Sequence, residues 1–329
     1  EHPAYSRKVS VLDPYADPVG AFLRTLEVLD LDWVFGLHRR AVRFAEGQTV
    51  MTLGNGRVLT DWGMVGSSWQ DVPLFDSPED VLRYRPLEDV DGRVPLVSRE
   101  KRDSYVGGPR ESQATIGRRA LATGLYYTTL FQYGIMAFGW ENFLLAAALD
   151  PETFDVILAQ FAEISRQNVA AWVTGDCPMF MFHDDIAITR GLVFAPEWYR
   201  RYLFPKYERI LEPARQAGKR IVFVSDGNYT ELLPDLFAVG VDGVMVDERM
   251  DLASILRRHG RDKVVIGNVD VQVVTWGTAD DIRREVRRCC DLGRECPGYF
   301  IKCFGDLPQN IPVGNLDVYF DAVHTYGRR

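Results

Sequence analysis

Residues 220–248 read RIVFVSDGNYTELLPDLFAVGVDGVMVDE, and the architecture of the chain follows from this stretch. Two short and almost wholly apolar runs, Arg220–Ser225 and Gly243–Val246, flank a segment long enough for one helix. Strands that are apolar on both faces are typical of a parallel sheet covered by helices. The stretch therefore predicts a strand–helix–strand unit in which acidic residues follow each strand.

The same alternation of strands and helices extends on both sides of this unit. Apolar runs predict further strands at Leu31–Leu37, Ala120–Tyr127, Met179–Phe182, Val264–Asn268 and Tyr299–Lys302. Helices are predicted to begin at Asp150-Pro151-Glu152, to run from Ala195-Pro196-Glu197 toward Gly218, and to span about Thr278 to Leu292. Repeated units of this length favour an α/β fold of the (β/α)8 TIM-barrel type over an open doubly wound sheet.

The first third of the chain departs from this regular pattern. Thr49–Leu53 and Arg57–Thr60 flank Asn55-Gly56, which predicts a β-hairpin. Residues 71–112 are rich in charge, Pro and Gly, and are predicted to wrap the surface. We therefore expect a single barrel domain over residues 1–329 that includes the hairpin and surface segment at 49–112. Its eighth strand is placed near Val9–Leu12 or before residue 1.

Composition limits the classes of function. The chain has 329 residues, of which 47% are apolar and 26% charged, with a net charge of −8. An acidic chain lacks the charge that general nucleic-acid binding needs, and no apolar run is long enough to span a membrane. Five cysteines without a CxxC spacing, and no recognisable signal peptide, indicate reduced thiols in a cytoplasmic protein. We expect a small-molecule substrate, with neither nucleic acid nor membrane as a partner.

Polar residues follow each predicted strand, and in a parallel barrel these strand ends surround the active site. The segments are His38-Arg39-Arg40, His183-Asp184-Asp185, Ser225-Asp226-Gly227-Asn228, Asp247-Glu248, Gly267-Asn268-Val269-Asp270 and Lys302-Cys303-Phe304-Gly305-Asp306. Any one of these residues could serve only as a turn or helix cap. Their recurrence at five consecutive strands instead predicts a shared acidic pocket, in which protons, a cation or basic side chains offset the repulsion.

Roles within this pocket follow from strand geometry and chemistry. His183 and Asp185 point to one side of an extended strand and Asp184 to the other, which suits a proton-transfer pair or two metal ligands. The catalytic candidates are His183, Asp184, Asp185 and Asp270. The substrate-binding candidates are His38, Tyr126, Tyr127, Asn228, Asp247, Asn268 and Lys302.

From about Gly139 to its end, and more faintly over Asp61–Pro86, the chain resembles the uroporphyrinogen decarboxylase superfamily. The residues that carry the resemblance are Gly139-Trp140-Glu141-Asn142, Asp150-Pro151-Glu152, Asp184-Asp185, Pro196-Glu197, Pro205, Gly218, Ser225-Asp226-Gly227-Asn228, Gly240-Val241-Asp242, Gly267-Asn268-Val269-Asp270, Gly277-Thr278 and Pro312-Val313-Gly314-Asn315. This superfamily contains porphyrin decarboxylases and methyltransferases that serve corrinoid proteins and thiols. The resemblance implies a (β/α)8 barrel and is compatible with a homodimer.

The resemblance also bears on cofactors. The methyltransferases hold zinc through a His-x-Cys-Gly motif and a later Cys, whereas the matching stretch here is Val224-Ser225-Asp226-Gly227. The later position falls near Gly305, two residues from Cys303. The chain still offers a set of metal ligands, because His183, Cys303 or Asp306 could bind the same ion as Asp226. Such an oxygen-rich shell suits zinc or a harder divalent ion, and an enzyme without a cofactor is the other reading.

Three functions remain open from the sequence. The first is a methyltransferase-like enzyme that acts on a small methylated substrate or a corrinoid partner, with Asp226 and His183 as metal ligands or acid–base groups. The second is a cofactor-free decarboxylase in which Asp184 or Asp185 donates a proton, and Lys302, Arg39 or Arg40 holds a carboxylate. The third is a binding barrel without catalysis.

Overall fold

The computed structural model of the protein describes residues 2–35, 49–52, 58–61, 67–70, 74–89, 92–94, 99–123, 125–127, 129–303, 307–308 and 310–328. The strands are β1 (Trp33–Val34), β2 (Thr49–Thr52), β3 (Val58–Asp61), β4 (Ser67–Gln70), β5 (Leu121–Ala122), β6 (Tyr126–Tyr127), β7 (Met179–His183), β8 (Ala187–Ile188), β9 (Gly191–Leu192), β10 (Arg220–Val224), β11 (Gly243–Met245), β12 (Val264–Ile266) and β13 (Tyr299–Phe300).

Helices connect and cover these strands. They are α1 (Pro3–Ser10), α2 (Pro18–Leu29), α3 (Pro78–Arg83), α4 (Arg99–Ile116), α5 (Phe131–Phe138), α6 (Trp140–Leu149), α7 (Pro151–Trp172), α8 (Pro196–Trp198), α9 (Phe204–Gln216), α10 (Leu233–Ala238), α11 (Leu252–His259), α12 (Val271–Trp276), α13 (Ala279–Gly293) and α14 (Val313–Tyr326). No helix in the described part of the chain is both long and apolar enough to cross a membrane.

A parallel sheet forms the centre of the molecule, as the sequence predicted. Its six strands lie in the order β13-β12-β11-β10-β7-β6, and every neighbouring pair is parallel. The strand segment 120–127, predicted as one strand, forms two short ones: β6 pairs with β7, whereas β5 pairs in parallel with β1. Within the described residues, the parallel strands thus form one sheet of six strands and a separate pair, β1 and β5.

Apolar side chains pack on both faces of this sheet. On one face, Met181, Val224, Met245 and their neighbours form a small buried cluster against which Trp33 and Phe35 pack. Trp33 in β1 and Phe35 just after it therefore pack against strands with which β1 does not pair. A much larger cluster, which includes Phe180, Phe182 and Phe223, lies between the other face and the helices. Burial on both faces explains why the strand sequences are nearly continuous apolar runs.

Several predicted elements are confirmed, and some are not. The hairpin is present as β2 and β3, and Asp150 caps α7 by accepting the Thr153 N–H at 3.0 Å. Val9–Leu12 is not a strand, because Val9 lies in α1, which ends at Ser10. The segment 71–112 was predicted only to wrap the surface, yet it contains α3 and most of α4, and α4 packs on α7.

The helix predicted from residue 195 to 218 is interrupted. It begins as α8, widens into a π-helical turn at Tyr199–Leu203, and continues as α9. Pro205 near the start of α9 lacks an N–H and cannot complete the α-helical ladder across this point. The five cysteines are buried thiols, none of which belongs to a disulfide.

Candidate functional site

The candidate site begins at the last residue pairs of three neighbouring strands. His183, the last residue of β7, pairs in register with Tyr127 on one side and with Val224 on the other. The chain then continues from His183 into Asp184 and Asp185, and from Val224 through Ser225 into Asp226. Strand register therefore brings the two acidic segments side by side at the carboxyl-terminal ends of β7 and β10.

Three side chains converge at this edge: His183, Asp185 and Asp226, called here the His–Asp–Asp group. His183 Nε2 lies 2.6 Å from Asp185 Oδ1, and the same oxygen accepts the backbone N–H of Asp226 at 3.0 Å. One potential ligand atom from each of the three residues lies within 4.8 Å of the others. Folding thus brings together three of the residues predicted for the shared acidic pocket.

The two carboxylates in the group differ in their protonation. Burial raises the pKa of Asp185, but the His183 hydrogen bond and charge and the Asp226 N–H outweigh it and hold the pKa below its ordinary value. Asp226 as a whole residue is exposed at the rim of the site, but neighbouring protein atoms surround its carboxylate. Burial, and then the charge of Asp185, raise the pKa of Asp226 to about 6. Asp226 is therefore the carboxylate that can exchange a proton near neutral pH.

Asp184 occupies a different environment from its neighbour. Its side chain is fully buried and accepts the Leu130, Phe131 and Gln132 backbone N–H groups at 3.0, 2.8 and 2.8 Å. The Tyr207 hydroxyl donates a fourth hydrogen bond at 2.6 Å. Four donors satisfy the carboxylate and anchor the start of α5. Asp184 therefore lies beside the His–Asp–Asp group but faces away from it, as the strand alternation predicted.

Other predicted site residues are bound within the strand-end loops. Asp247 accepts the Gly227 N–H at 2.9 Å and contacts the Arg249 guanidinium at 3.2 Å. Asn268 donates to the carbonyls of Asp247 and Met250. The remaining two residues act as local caps: the Asn228 side chain accepts the Thr230 N–H, and Asp270 caps α12 by accepting the Gln272 N–H. The substrate-binding roles of Asn228, Asp247 and Asn268 and the catalytic role of Asp270 stay predictions.

The two adjacent tyrosines point in opposite directions. Tyr126 is buried among helices, where its hydroxyl meets Ser165 and Asn168 at 3.1 Å. Tyr127 is 44% exposed, and its ring lies edge-on to His183 with the centroids 4.5 Å apart. Burial is the main cause that raises the pKa of Tyr127, and nearby carboxylates add to it. Of the pair, Tyr127 is the one that borders the His–Asp–Asp group.

The end of β13 lies apart from the His–Asp–Asp group. Cys303 is buried, and burial raises the pKa of its thiol to about 12, so it is not a ready thiolate ligand. Lys302 donates to the Cys303 carbonyl at 2.7 Å. Both residues line a cavity of about 670 Å³ between β1 and β13, whose walls do not include the His–Asp–Asp group. His38, Arg39, Arg40 and Asp306 lie outside the described residues.

Sequence reasoning missed two residues that hold the site together. Gln132 hydrogen-bonds the Tyr127 hydroxyl through Nε2 at 3.1 Å and also hydrogen-bonds Asp185. Tyr207, in α9, reaches Asp184 across the helix layer. Neither residue follows a strand, so no local pattern marks it. Their roles depend on contacts between distant parts of the chain.

The His–Asp–Asp group has the composition of a divalent-metal site. One imidazole and two carboxylates are ligands that zinc and harder divalent ions accept. His183 Nδ1 is buried without a hydrogen-bond partner among the described residues, so the ring is not held by protein contacts at both nitrogens. His183, Asp185 and Asp226 therefore form a donor set that fits a divalent ion. Cys303, which was a candidate ligand from the sequence, is not part of this set.

Comparisons with known proteins agree on a family. Residues 128–326 match the family described as uroporphyrinogen decarboxylase (URO-D). The uroporphyrinogen decarboxylase of Carboxydothermus hydrogenoformans is 23% identical over 199 residues, which cover 60% of this chain and 55% of the relative. The methylcobamide:CoM methyltransferase MtbA of Methanosarcina acetivorans is 28% identical over 98 residues, 30% of this chain and 29% of the relative.

A solved structure shows the same fold over the whole chain. A methyltransferase from Methanosarcina mazei superposes with a TM-score of 0.65 at 17% identity, covering 100% of this chain and 92% of that one. At that identity the likeness concerns the fold alone. The chain spans about half the length, or less, of the curated relatives that it matches.

Proposed function

Because the chain belongs to the uroporphyrinogen decarboxylase family, whose members named above are enzymes, we propose that it is a methyltransferase-like enzyme acting on a small substrate. The His–Asp–Asp group carries this proposal, because it gathers an imidazole and two carboxylates at one sheet edge. In this proposal a methyl group passes from a methylated donor, such as a methylcobamide on a corrinoid partner, to a small thiol.

Electrostatics favours this reaction over binding of a polycarboxylate porphyrin. The group itself carries two acids, and Asp247 and Glu248 add further negative potential at Asp226. The nearby Arg249 is already paired with both of these acids, with N···O distances of 3.2 and 3.0 Å. A substrate with many carboxylates would be repelled from such an edge, whereas a neutral or cationic one would not.

The residues divide the proposed chemistry between them. The sulfur–methyl bond forms as the donor–methyl bond breaks, and the electron pair of the broken bond stays on the donor. The thiol proton leaves to solvent at the rim of the site, where Asp226 is exposed. Asp185 orients His183 through the 2.6 Å hydrogen bond, and the Tyr127 ring covers the imidazole on one side.

A divalent metal is part of the proposal. His183, Asp185 and Asp226 would hold it, and a bound metal would lower the pKa of a thiol so that the thiolate forms at neutral pH. Asp184 would keep its four hydrogen bonds and anchor α5.

The proposed scaffold is a closed eight-stranded barrel with this group at its mouth. Support comes from Trp33 and Phe35, which pack against the inward cluster of β7, β10 and β11. In this proposal the remaining strand lies between β1 and β13, which both border one cavity.

A methyl-transfer assay tests the proposed function. Purified protein is loaded with zinc or manganese and given methylcobalamin and coenzyme M, and loss of the methyl–cobalt absorbance is followed. We expect turnover that falls by about 100-fold or more in Asp226→Asn and His183→Gln. Asp176→Asn is the matched control, because Asp176 is exposed just before β7, at the opposite edge of the sheet. Absence of turnover with every metal would contradict the proposal.

One observation favours a decarboxylase as the second candidate. Asp226 is exposed, and its pKa is raised to about 6, so that it could protonate a carbanion without any metal. Release of carbon dioxide from uroporphyrinogen or a smaller pyrrole acid, undiminished by a chelator, would select this function. Loss of that release in Asp226→Asn would assign the proton donor.

A further inference from the structure

Gln132 links helix α5 to the His–Asp–Asp group. Its backbone N–H donates to Asp184 Oδ1 at 2.8 Å, and the same carboxylate binds the N–H groups of Leu130 and Phe131. The first turn of α5 is therefore fixed on the residue that precedes Asp185 in the chain. This anchor places the Gln132 side chain next to the site.

The Gln132 side chain has two hydrogen-bond partners there. Its Nε2 donates to the Tyr127 hydroxyl at 3.1 Å, and the side chain also hydrogen-bonds Asp185. A carboxylate only accepts hydrogen bonds, so the amide NH2 is the group that faces Asp185 as well as Tyr127. One amide thus contacts a metal-ligand candidate and the tyrosine that borders the group.

Tyr127 in turn contacts the histidine of the group. Tyr127 and His183 are register partners on the neighbouring strands β6 and β7. Their rings meet edge to face, with the centroids 4.5 Å apart and the ring planes at 88°. The Tyr127 ring therefore limits how far the imidazole can turn, and Gln132 holds the hydroxyl end of that tyrosine.

Gln132 makes these contacts at a cost to folding. Its Oε1 atom is buried and has no hydrogen-bond partner among the described residues. A buried acceptor without a donor destabilises the folded state. Packing alone would be served better by an apolar side chain of similar size. Groups that cost stability are typical of functional sites, so this amide indicates a role at the His–Asp–Asp group.

We propose that Gln132 and Tyr127 are positioning residues for the divalent metal that the His–Asp–Asp group would bind. Gln132 holds the Asp185 carboxylate directly, and Tyr127 holds the His183 ring. Neither residue is itself a ligand. Losing a residue that orients metal ligands costs about 10- to 100-fold in metal affinity. This inference rests on the proposed function for the metal itself.

Zinc affinity tests the positioning role. Chelator-treated protein competes with a chromophoric chelator for zinc, without any methyl donor. We expect Gln132→Met to bind zinc about 10-fold more weakly or worse. Tyr127→Phe keeps the ring and loses the hydroxyl, so its expected loss is smaller, about two- to fivefold. Natural affinity in a folded Gln132→Met protein would overturn the proposal.

A matched control removes a glutamine amide elsewhere. Gln216 lies in the exposed last turn of α9 and donates a side-chain hydrogen bond to Glu212 at 3.1 Å. Gln216→Met therefore loses one amide and one hydrogen bond away from the site. We expect it to keep the natural zinc affinity, and a loss equal to that of Gln132→Met would count against the proposal.

The visible absorption of bound cobalt(II) reports the arrangement of the ligands. In cobalt-saturated protein we expect the bands of Gln132→Met to be shifted or weakened, and those of Gln216→Met to match the natural protein. A merely structural role would leave the bands of Gln132→Met in place. Identical bands in Gln132→Met and the natural protein would therefore refute positioning.

Urea unfolding of the metal-free protein separates the two roles again. The hydrogen bond from Gln132 to Tyr127 is exposed, and Gln132→Met removes the unsatisfied Oε1 atom. We expect this variant to keep the natural unfolding midpoint while it loses zinc affinity. A midpoint that falls while zinc affinity stays natural would assign Gln132 to the fold alone.

The positioning role and the proposed function fail separately. Weaker zinc binding by Gln132→Met, with no methyl transfer by the natural protein, would keep the positioning role and refute the reaction. Methyl transfer together with natural zinc affinity in Gln132→Met would keep the reaction and refute the positioning role. A natural protein that binds neither zinc nor cobalt would also overturn the positioning role.

Discussion

At the scale of single residues, adjacent aspartates have different surroundings because a strand alternates its side chains. Asp184 faces the helix layer and receives four donors, whereas Asp185 faces the sheet edge and meets His183. The charge of Asp184 is satisfied by structure. The Asp185 carboxylate hydrogen-bonds His183, and its charge lies close enough to Asp226 to raise the pKa of that residue.

The first prediction concerns the charge of Asp226. Folding raises its pKa from 3.8 to about 6, so the folded protein holds this proton more tightly than the unfolded chain. Ionisation therefore costs stability as the pH rises from about 4 to about 6. We expect Asp226→Asn to gain stability relative to the natural protein over this range and to keep the gain above it. Urea unfolding of chelator-treated protein at several pH values measures the difference.

The groups that face Asp226 account for this expectation. Asp185, Asp247 and Glu248 raise its pKa, and His183 opposes them. Asp176→Asn serves as the control, because Asp176 is exposed just before β7 and lies outside this cluster. A constant difference for Asp226→Asn across the pH range would show that the carboxylate is not destabilised by its neighbours.

The second prediction concerns the donor that Tyr207 supplies to Asp184. Tyr207→Phe removes the hydroxyl that lies 2.6 Å from a fully buried carboxylate. We expect the free energy of unfolding to fall by about 1–3 kcal/mol, the cost of losing a hydrogen bond to a buried charged group. Tyr202→Phe is the control, since Tyr202 lies on the preceding turn and its hydroxyl has no hydrogen-bond partner among the described residues. Equal losses in both variants would argue against this anchor.

At the scale of elements, the hairpin β8–β9 is packed against the loop that carries Asp226. Gly227 has a φ of +77°, and a Cβ at this position would collide with the Ile188 backbone. The Gly227 N–H also donates to Asp247 at 2.9 Å. A residue without a side chain is therefore needed where the hairpin, the β10 loop and the β11 loop meet.

The third prediction follows from this close approach. Gly227→Ala must displace the hairpin as well as adopt a positive φ, so we expect a loss of about 2–4 kcal/mol in the free energy of unfolding. Gly218→Ala is the control, because Gly218 has a φ of +66° and open space around it. That variant should lose only about 1 kcal/mol. Similar losses would mean that backbone conformation alone requires glycine at residue 227.

At the scale of the whole molecule, helices near the two ends of the described chain pack together. Tyr5 of α1 stacks on Phe320 of α14, with the ring centroids 5.5 Å apart. Lys8 forms an ion pair with Asp317, and the His324 side chain contacts the Leu29 carbonyl at 3.0 Å. These contacts join α1 and α2 to α14.

The fourth prediction tests that connection. Tyr5 is 5% exposed, and Tyr5→Ala should lower the free energy of unfolding by about 3 kcal/mol in a single transition. Tyr15→Ala is the control, because Tyr15 is 47% exposed. Fluorescence and circular dichroism should report the same midpoint for Tyr5→Ala. Two separated transitions would show that the terminal helices unfold independently of the sheet.

Much of the fold was predictable because its signals are local. The parallel strands β7, β10, β11, β12 and β13 were predicted, with ends within a few residues of those observed, whereas the short hairpin β8–β9 was not predicted. The helices at 99–116 and 78–83 were missed, because a charged segment with two adjacent glycines resembles a loop until its packing on α7 is known. The eighth strand and closure of the barrel stay predictions.

The candidate site was predictable in part for the same reason. The alternation of His183, Asp184 and Asp185 along an extended chain was enough to assign their two directions. The proximity of Asp185 and Asp226 depended on the assumption of neighbouring parallel strands. The local bonding of Asp247 and Asn268 could not be predicted, because it depends on how adjacent loops close.

The amino-acid sequence alone determined the parallel α/β architecture and the strand ends that carry acids, since hydrophobic periodicity and turn residues act over a few positions. Tertiary structure alone decided which acids meet and which are neutralised. Asp226 reaches Asp185 across 41 residues, and Tyr207 reaches Asp184 across 23. Electrostatic and hydrogen-bond energies depend on distance in space, and that distance is fixed only when strand register and helix packing are complete.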